Sequence, residues 1–220
     1  MHWLIGQSRA LVPHATRDRL VSTAMQLFWE KGFGSTSVSD LLRAAGVNSG
    51  SLYNFFPGKQ DVLLAVLDAY RSGIREMLLQ PAWQNVTDPI EKVFSLLARY
   101  RTLIVQTDCF YGCPIGSLAL ELHEPDPPVG ERLAANFEVW IDSVQECLTE
   151  AGRALPEDVD RRGLAEFVLT TMEGAVMLTR TFRDVAYFDR AVRQLRNYFN
   201  CLLAMPQFAV RRKSRRIKRK

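Results

Sequence analysis

The residues of this chain best equipped for chemistry are hydrogen-bonding groups, not a catalytic set. Asn48, Ser49, Gly50, Ser51, Tyr53 and Asn54 are small, amide or hydroxyl residues crowded around the start of one short stretch. On a short helix they would cluster at its exposed N-terminal side, where free backbone N–H groups suit phosphate and the side chains suit base edges. A second candidate is a pair of thiols. Cys113 directly precedes Pro114 and so would lie at a helix N-terminus, where the helix dipole favours thiolate; Cys109 is placed as a resolving thiol. The plainer reading is that both are inert, buried, small apolar residues. Cys147 and Cys201 read as core or interface. His2, His14 and His123 are scattered, and Glu121-Leu-His123-Glu124 reads as a solvated helix end. No GxSxG elbow, phosphate-cradling glycine loop, HExxH or paired CxxC occurs. Neither an enzyme, nor a metal site, nor a cofactor is expected.

The elements that must position these groups are helical throughout. No segment alternates apolar and polar residues with the turn signals a sheet needs, so the fold class is all-α, with about nine helices. A first helix starts after Thr16, carries Leu20, Ala24, Leu27 and Phe28, and stops at Gly32. Ser37-Val-Ser-Asp40 is a capping box opening a short helix that ends at Gly46. A third begins around Asn48, and Pro57 pushes Phe56 out of the α region. A longer helix runs from Lys59 toward Leu78, with Pro81 ending it. Asp88-Pro89-Ile-Glu91 starts another. Further helices are expected from Pro114 to Leu122, from Val129 to Gly152, from Pro156 through Leu178, and from Ala186 to Met205. The last two offer faces for pairing with a partner chain as a four-helix bundle.

Composition sets the outer limits. With 220 residues, 47% of them hydrophobic, the chain can bury a sizeable core. No apolar run approaches the roughly 20 residues of a membrane span, and the first residues lack a signal-peptide layout. A cytoplasmic protein with no membrane partner is expected. Residues 1–60 hold six basic side chains against three acidic ones, and the last ten residues hold eight basic side chains, so the formal net charge of +4 hides an acidic middle. Polyanion binding therefore belongs to the head and the tail.

Two short helices around a glycine-containing turn form the geometry that places a second helix in the major groove. An αα-hairpin whose Asn and Ser are merely caps has the same spacing. The stretch from Gly32-Phe-Gly-Ser-Thr36 through Ala45-Gly46-Val-Asn-Ser-Gly50-Ser-Leu-Tyr53-Asn-Phe-Phe56-Pro-Gly-Lys59 resembles the N-terminal signature of the TetR/AcrR repressor family. The match covers about residues 16–66. The resemblance implies a flexible arm at 1–15, a helix-turn-helix domain at 16–60, a helical effector-binding and dimerisation domain at 61–206, and leaves a basic tail at 207–220. It implies that Thr36 contacts a phosphate and that Asn48, Ser49, Gly50 and Asn54 sit against base edges and backbone. Tyr53 and Lys59 would each anchor a phosphate. Phe55 departs from the pattern, standing where many relatives carry His or Tyr. Tyr111-Gly-Cys113-Pro-Ile-Gly116-Ser-Leu-Ala-Leu-Glu121 also resembles a Gly-Cys-x-x-Gly-Asn-Leu-x-x-Glu motif of one branch, with Ser117 in place of Asn.

Such a protein would be a homodimer that binds a palindromic double-stranded DNA operator and releases it when a small apolar or electrophilic effector occupies the body. Tyr100, Phe110, Cys113, Phe137 and Trp140 are the pocket candidates, with Phe94, Tyr111 and Phe182 as further aromatic residues; at helical spacing each is equally what a plain core needs. Two other classes fit the composition: a nonspecific architectural DNA binder using head and tail, and a helical small-molecule carrier or enzyme.

Overall fold

The computed structural model describes residues 15–124 and 126–205. The tail expected at 207–220, and the arm except Ala15, lie outside them. Among the described residues the chain is helical and contains no strand. The helices are α1 (Ala15–Lys31), α2 (Val38–Ala45), α3 (Ser49–Phe55), α4 (Lys59–Ile74), α5 (Gln80–Trp83), α6 (Pro89–Val105), α7 (Pro114–Glu121), α8 (Pro127–Glu150), α9 (Arg161–Phe182) and α10 (Ala186–Ala204). A π turn, Arg75–Leu79, joins α4 to α5, so helix runs unbroken from Lys59 to Trp83 and nine continuous helices result.

Local hydrogen bonding explains most boundaries. Ser37 Oγ accepts from Asp40 N while Asp40 Oδ2 accepts from Ser37 N, the reciprocal capping box expected of α2. The Ser37 hydroxyl also donates to Asp40 Oδ2 at 2.6 Å, and this bond first, with the one from Ser37 N, holds the Asp40 carboxyl below the usual carboxylate range. Asn48, Asp88 and Asp160 each accept a backbone N–H in the first turn of α3, α6 and α9. Two boundaries differ from expectation. Pro81 does not end the long helix, because the wide π turn absorbs its missing N–H and Gln80 N donates five residues back to Arg75 O. Pro156 does not open α9: its carbonyl accepts from Val159 N to close a single turn, and the helix waits for the Asp160 cap.

Burial divides into two apolar clusters. One fills the body between α5, α6, α8, α9 and α10, with Phe94, Leu97, Val144, Leu148, Val168, Phe188 and Phe199 at its centre. The other holds the head, from Leu20, Phe28, Leu41 and Leu52 to Leu63 and Leu67, and it extends through Cys113, Ile115 and Leu118 of α7 to Val129 and Leu133 of α8. Head and body therefore share buried surface. Buried Asn136 of α8 reinforces the seam by donating to Leu67 O of α4 at 3.0 Å, and Arg132 pairs with Asp68 one turn away at 3.0 Å.

Candidate functional site

Helix α3, the second of the helix-turn-helix pair, is held by its apolar side and leaves its polar side open. Leu52 is fully buried, and Phe55 and Phe56 turn inward with it; Phe55 thus packs on the head instead of standing outward. Opposite them Asn48, Ser49, Gly50, Tyr53 and Asn54 are all exposed, Tyr53 to 55%. Asn48 Oδ1 is occupied as the cap, accepting from Ser51 N at 2.8 Å, which leaves its amide N–H groups outward. The surface is uncharged along this face, with Arg43 of α2 nearby in sequence but paired with Asp40. Such a face has the donors and acceptors that groove-reading needs.

Thr36 requires a correction. Its side chain is fully buried, and its hydroxyl donates to Gly32 O at 2.7 Å, so it fastens the α1–α2 loop and cannot face a phosphate in this conformation. Lys59 has the same loop as its first partner. Its ammonium donates to Phe33 O at 2.9 Å and Thr36 O at 3.0 Å and lies 4.2 Å from the Phe33 ring centroid. An ammonium has three donors, so one N–H and the charge remain for an anion.

The body grips that loop from the other side. Glu121, at the end of α7, accepts from Phe33 N at 2.9 Å and Gly34 N at 2.6 Å. It is a tertiary clamp and not the solvated helix end expected from sequence. Gly32 beside it has φ +88°, and a Cβ there would lie 2.9 Å from Glu121 Oε2, so this position needs glycine twice over. A second link runs from Trp29 of α1, whose Nε1 donates to Gly112 O at 2.8 Å while its ring packs 4.6 Å from that of Tyr111.

Directly behind these links lies a cavity of about 100 Å³, a little smaller than an apolar cavity of about 150 Å³ that takes up benzene. Of the expected pocket residues, Tyr100, Cys113, Phe137 and Trp140 line it. Phe110 does not; it is exposed, under the Arg183 guanidinium at 3.6 Å. Sequence reasoning missed Trp29, Tyr70 and Glu173. The last carried a readable signal, an acid on the apolar stripe of α9 among Leu169, Met172 and Val176.

Cys113 caps α7, with Sγ accepting from Gly116 N at 3.5 Å, as its position before Pro114 suggested. Its electrostatics run opposite to an activated thiol. Burial first, and the neighbouring Glu173 second, push the thiol well above its ordinary range. Burial also raises Cys109, which packs in the body cluster while Cys113 packs with the head. The dipole argument for a thiolate is outweighed by desolvation.

Burial likewise pushes the Glu173 carboxyl up. The folded protein then holds this proton more tightly than the unfolded chain. Its contribution is complete below the unfolded value and is lost as pH rises through the raised folded value. Tyr100 and Cys113 beside it titrate only at much higher pH, so they do not act in this window. Glu173→Gln, neutral at every pH, should melt about 2–4 °C above the native protein at pH 8 and level with it at pH 4, for a difference of about 1 kcal/mol. Calorimetry at the two pH values reads this; an equal offset at both would exclude ionisation as the cause.

No helix among the described residues is long and apolar enough to cross a membrane. The chain matches the model for bacterial regulatory proteins of the tetR family over residues 20–66, and that for the LmrA/YxaF-like transcriptional regulator C-terminal domain over residues 89–194. An uncharacterised HTH-type transcriptional regulator of Mycobacterium tuberculosis is 33% identical over 186 residues, 82% of this chain and 92% of the relative. The HTH-type transcriptional repressor DhaR of Mycobacterium sp. strain GP1 is 28% identical, covering 79% and 87%. Among solved structures, a TetR transcriptional regulator from Chloroflexus aurantiacus superposes with a TM-score of 0.74 at 28% identity, covering 84% of this chain and 94% of that one. With the three-helix head, the exposed polar face of its α3 and a body matched over most of its length, the chain belongs to the TetR family of transcriptional regulators.

Proposed function

We propose that this regulator is a dimeric repressor whose α3 reads a palindromic operator and whose affinity for it falls when an apolar small molecule fills the cavity. The observation that carries the reading is shared walls. Tyr111, Gly112, Cys113 and Ile115 line the cavity, and the same segment receives Trp29 from the head and leads through α7 to the Glu121 clamp. An occupant that displaces this segment acts on the loop that positions α2 and α3. Only a ligand that favours the displaced arrangement shifts the balance.

The dimer rests on an exposed apolar face. Phe167, Met177, Leu178 and Phe182 of α9 and Tyr198 and Leu203 of α10 stand 39–55% exposed on helices that pack together. Phe167 and Tyr198 meet edge-on across the two helices at 5.9 Å; exposed apolar surface of this kind suits association, and two copies of the pair would make the four-helix arrangement expected from sequence.

The test is binding of the purified protein to DNA from its own promoter region against random DNA at fixed salt. Preference for the promoter is expected, with Tyr53→Phe lowering it about five- to tenfold through loss of one hydroxyl contact worth roughly 1 kcal/mol. Equal binding to both DNAs would favour a nonspecific polyanion binder and sink the reading of a local operator.

A further inference from the structure

Glu173 is the one carboxylate among the described residues lining the cavity, and no lysine, arginine or histidine lines it. Its Oε1 is buried without a hydrogen-bond partner. The Cys113 thiol lies against the same carboxyl, and a thiol is a weak donor. The nearest candidate counter-ion on its own helix is committed elsewhere: Arg180 donates through Nε to Phe110 O and through Nη1 to Ser117 Oγ. A partly satisfied buried carboxyl costs stability unless something else occupies the site.

The rest of the wall is aromatic. Trp29, Tyr70, Tyr100, Tyr111, Phe137 and Trp140 line the cavity. Ring faces are negative, and several of them around one space attract a cation most strongly when water is excluded. Two independent features, the partnerless oxygen and the ring faces, thus favour the same charge. A neutral apolar ligand would fill the volume and leave Oε1 as it is. An anion would find one unpartnered donor, Trp140 Nε1, but would meet the carboxyl and the ring faces with the wrong sign.

We infer that the cavity binds an aromatic organic cation, an amine or ammonium compound whose positive group meets Glu173 and whose ring stacks among the aromatic walls. This rests on the reading of the cavity as the effector site and adds the charge of the ligand to it. Binding of the cation draws Glu173 into its ionised form, and the proton it held passes to solvent.

The probes are 2-phenylethylammonium, its neutral counterpart 2-phenylethanol, and 3-phenylpropanoate, titrated into the full chain and followed by calorimetry and by the fluorescence of Trp29 and Trp140. The ammonium is expected to bind at least about tenfold more tightly than the alcohol, a difference of about 1.4 kcal/mol. In Glu173→Gln that preference should disappear while the alcohol still binds, which also shows that the variant is folded. Equal affinity of ammonium and alcohol for the native protein, or tighter binding of 3-phenylpropanoate, overturns the cation assignment and leaves the cavity as a ligand site. Failure of all three to bind the native protein overturns the cavity reading itself.

Discussion

Lys59→Ala is expected to weaken DNA binding and to destabilise the head together, and its effect should exceed that of Tyr53→Phe. Hydrogen bonds from a charged donor contribute about 1.5–3 kcal/mol each, and Lys59 makes two, to Phe33 O and Thr36 O. It also covers the Phe33 ring, which itself packs edge-on against Phe28 at 5.2 Å. Because these bonds are only part-buried, a total loss of about 2–4 kcal/mol is the reasonable range. Thermal unfolding would then fall by about 5–15 °C, and promoter affinity by more than tenfold. Lys59→Arg separates the two roles: the charge persists, but the planar fork does not reproduce the two carbonyl contacts. A variant that kept its melting temperature and lost only DNA affinity would make Lys59 a plain phosphate contact, with no structural duty.

Gly112→Ala should be the other severe change. A Cβ at Gly112 would collide with Val176 Cγ1 and lie 2.9 Å from Arg180 Cδ. Val176 is buried and β-branched, so it has no free rotamer to retreat into. Overpacking of this kind costs about 1–3 kcal/mol, and here it also pushes away the carbonyl that accepts from Trp29. Gly112→Ala combined with Val176→Ala should recover most of the lost melting temperature, because the methyl groups that collide are removed. Gly112→Ala with an unchanged melting temperature would show that the segment yields freely, and the coupling between cavity and head would lose its rigid element.

The helix boundaries that could be read from sequence are those fixed by short-range hydrogen bonds. Asn48, Ser37 with Asp40, and Asp88 each bond within their own first turn, so residue type and spacing suffice. Proline signals were less decisive, since Pro81 and Pro156 were each overruled by a neighbour, a π turn in one case and the Asp160 cap in the other. The exposed row on α3 was legible for the same local reason. The long-range contacts were not. Thr36 is polar and near the right helix, yet tertiary packing closes over it. Glu121 reaches a loop 88 positions earlier in the chain, and no local pattern announces that distance. The Gly-Cys-x-x-Gly stretch read as a motif around a thiol, and nothing local announced that Val176, Arg180 and Glu173 would press against its glycines.

The π turn has a mechanical consequence. Met77 and Leu78, within it, form part of the cavity wall, and from it α4 runs 16 residues back to Lys59. At 1.5 Å per residue that is an arm of about 24 Å. A tilt of about five degrees at the wide turn swings the far end by about 2 Å, because displacement grows with arm length. That is more than the margin between a 2.9 Å hydrogen bond and a broken one. A small shift of the cavity wall would therefore be enlarged at the Lys59 end of the arm wherever the α8 contacts at Leu67 and Asp68 let α4 tilt.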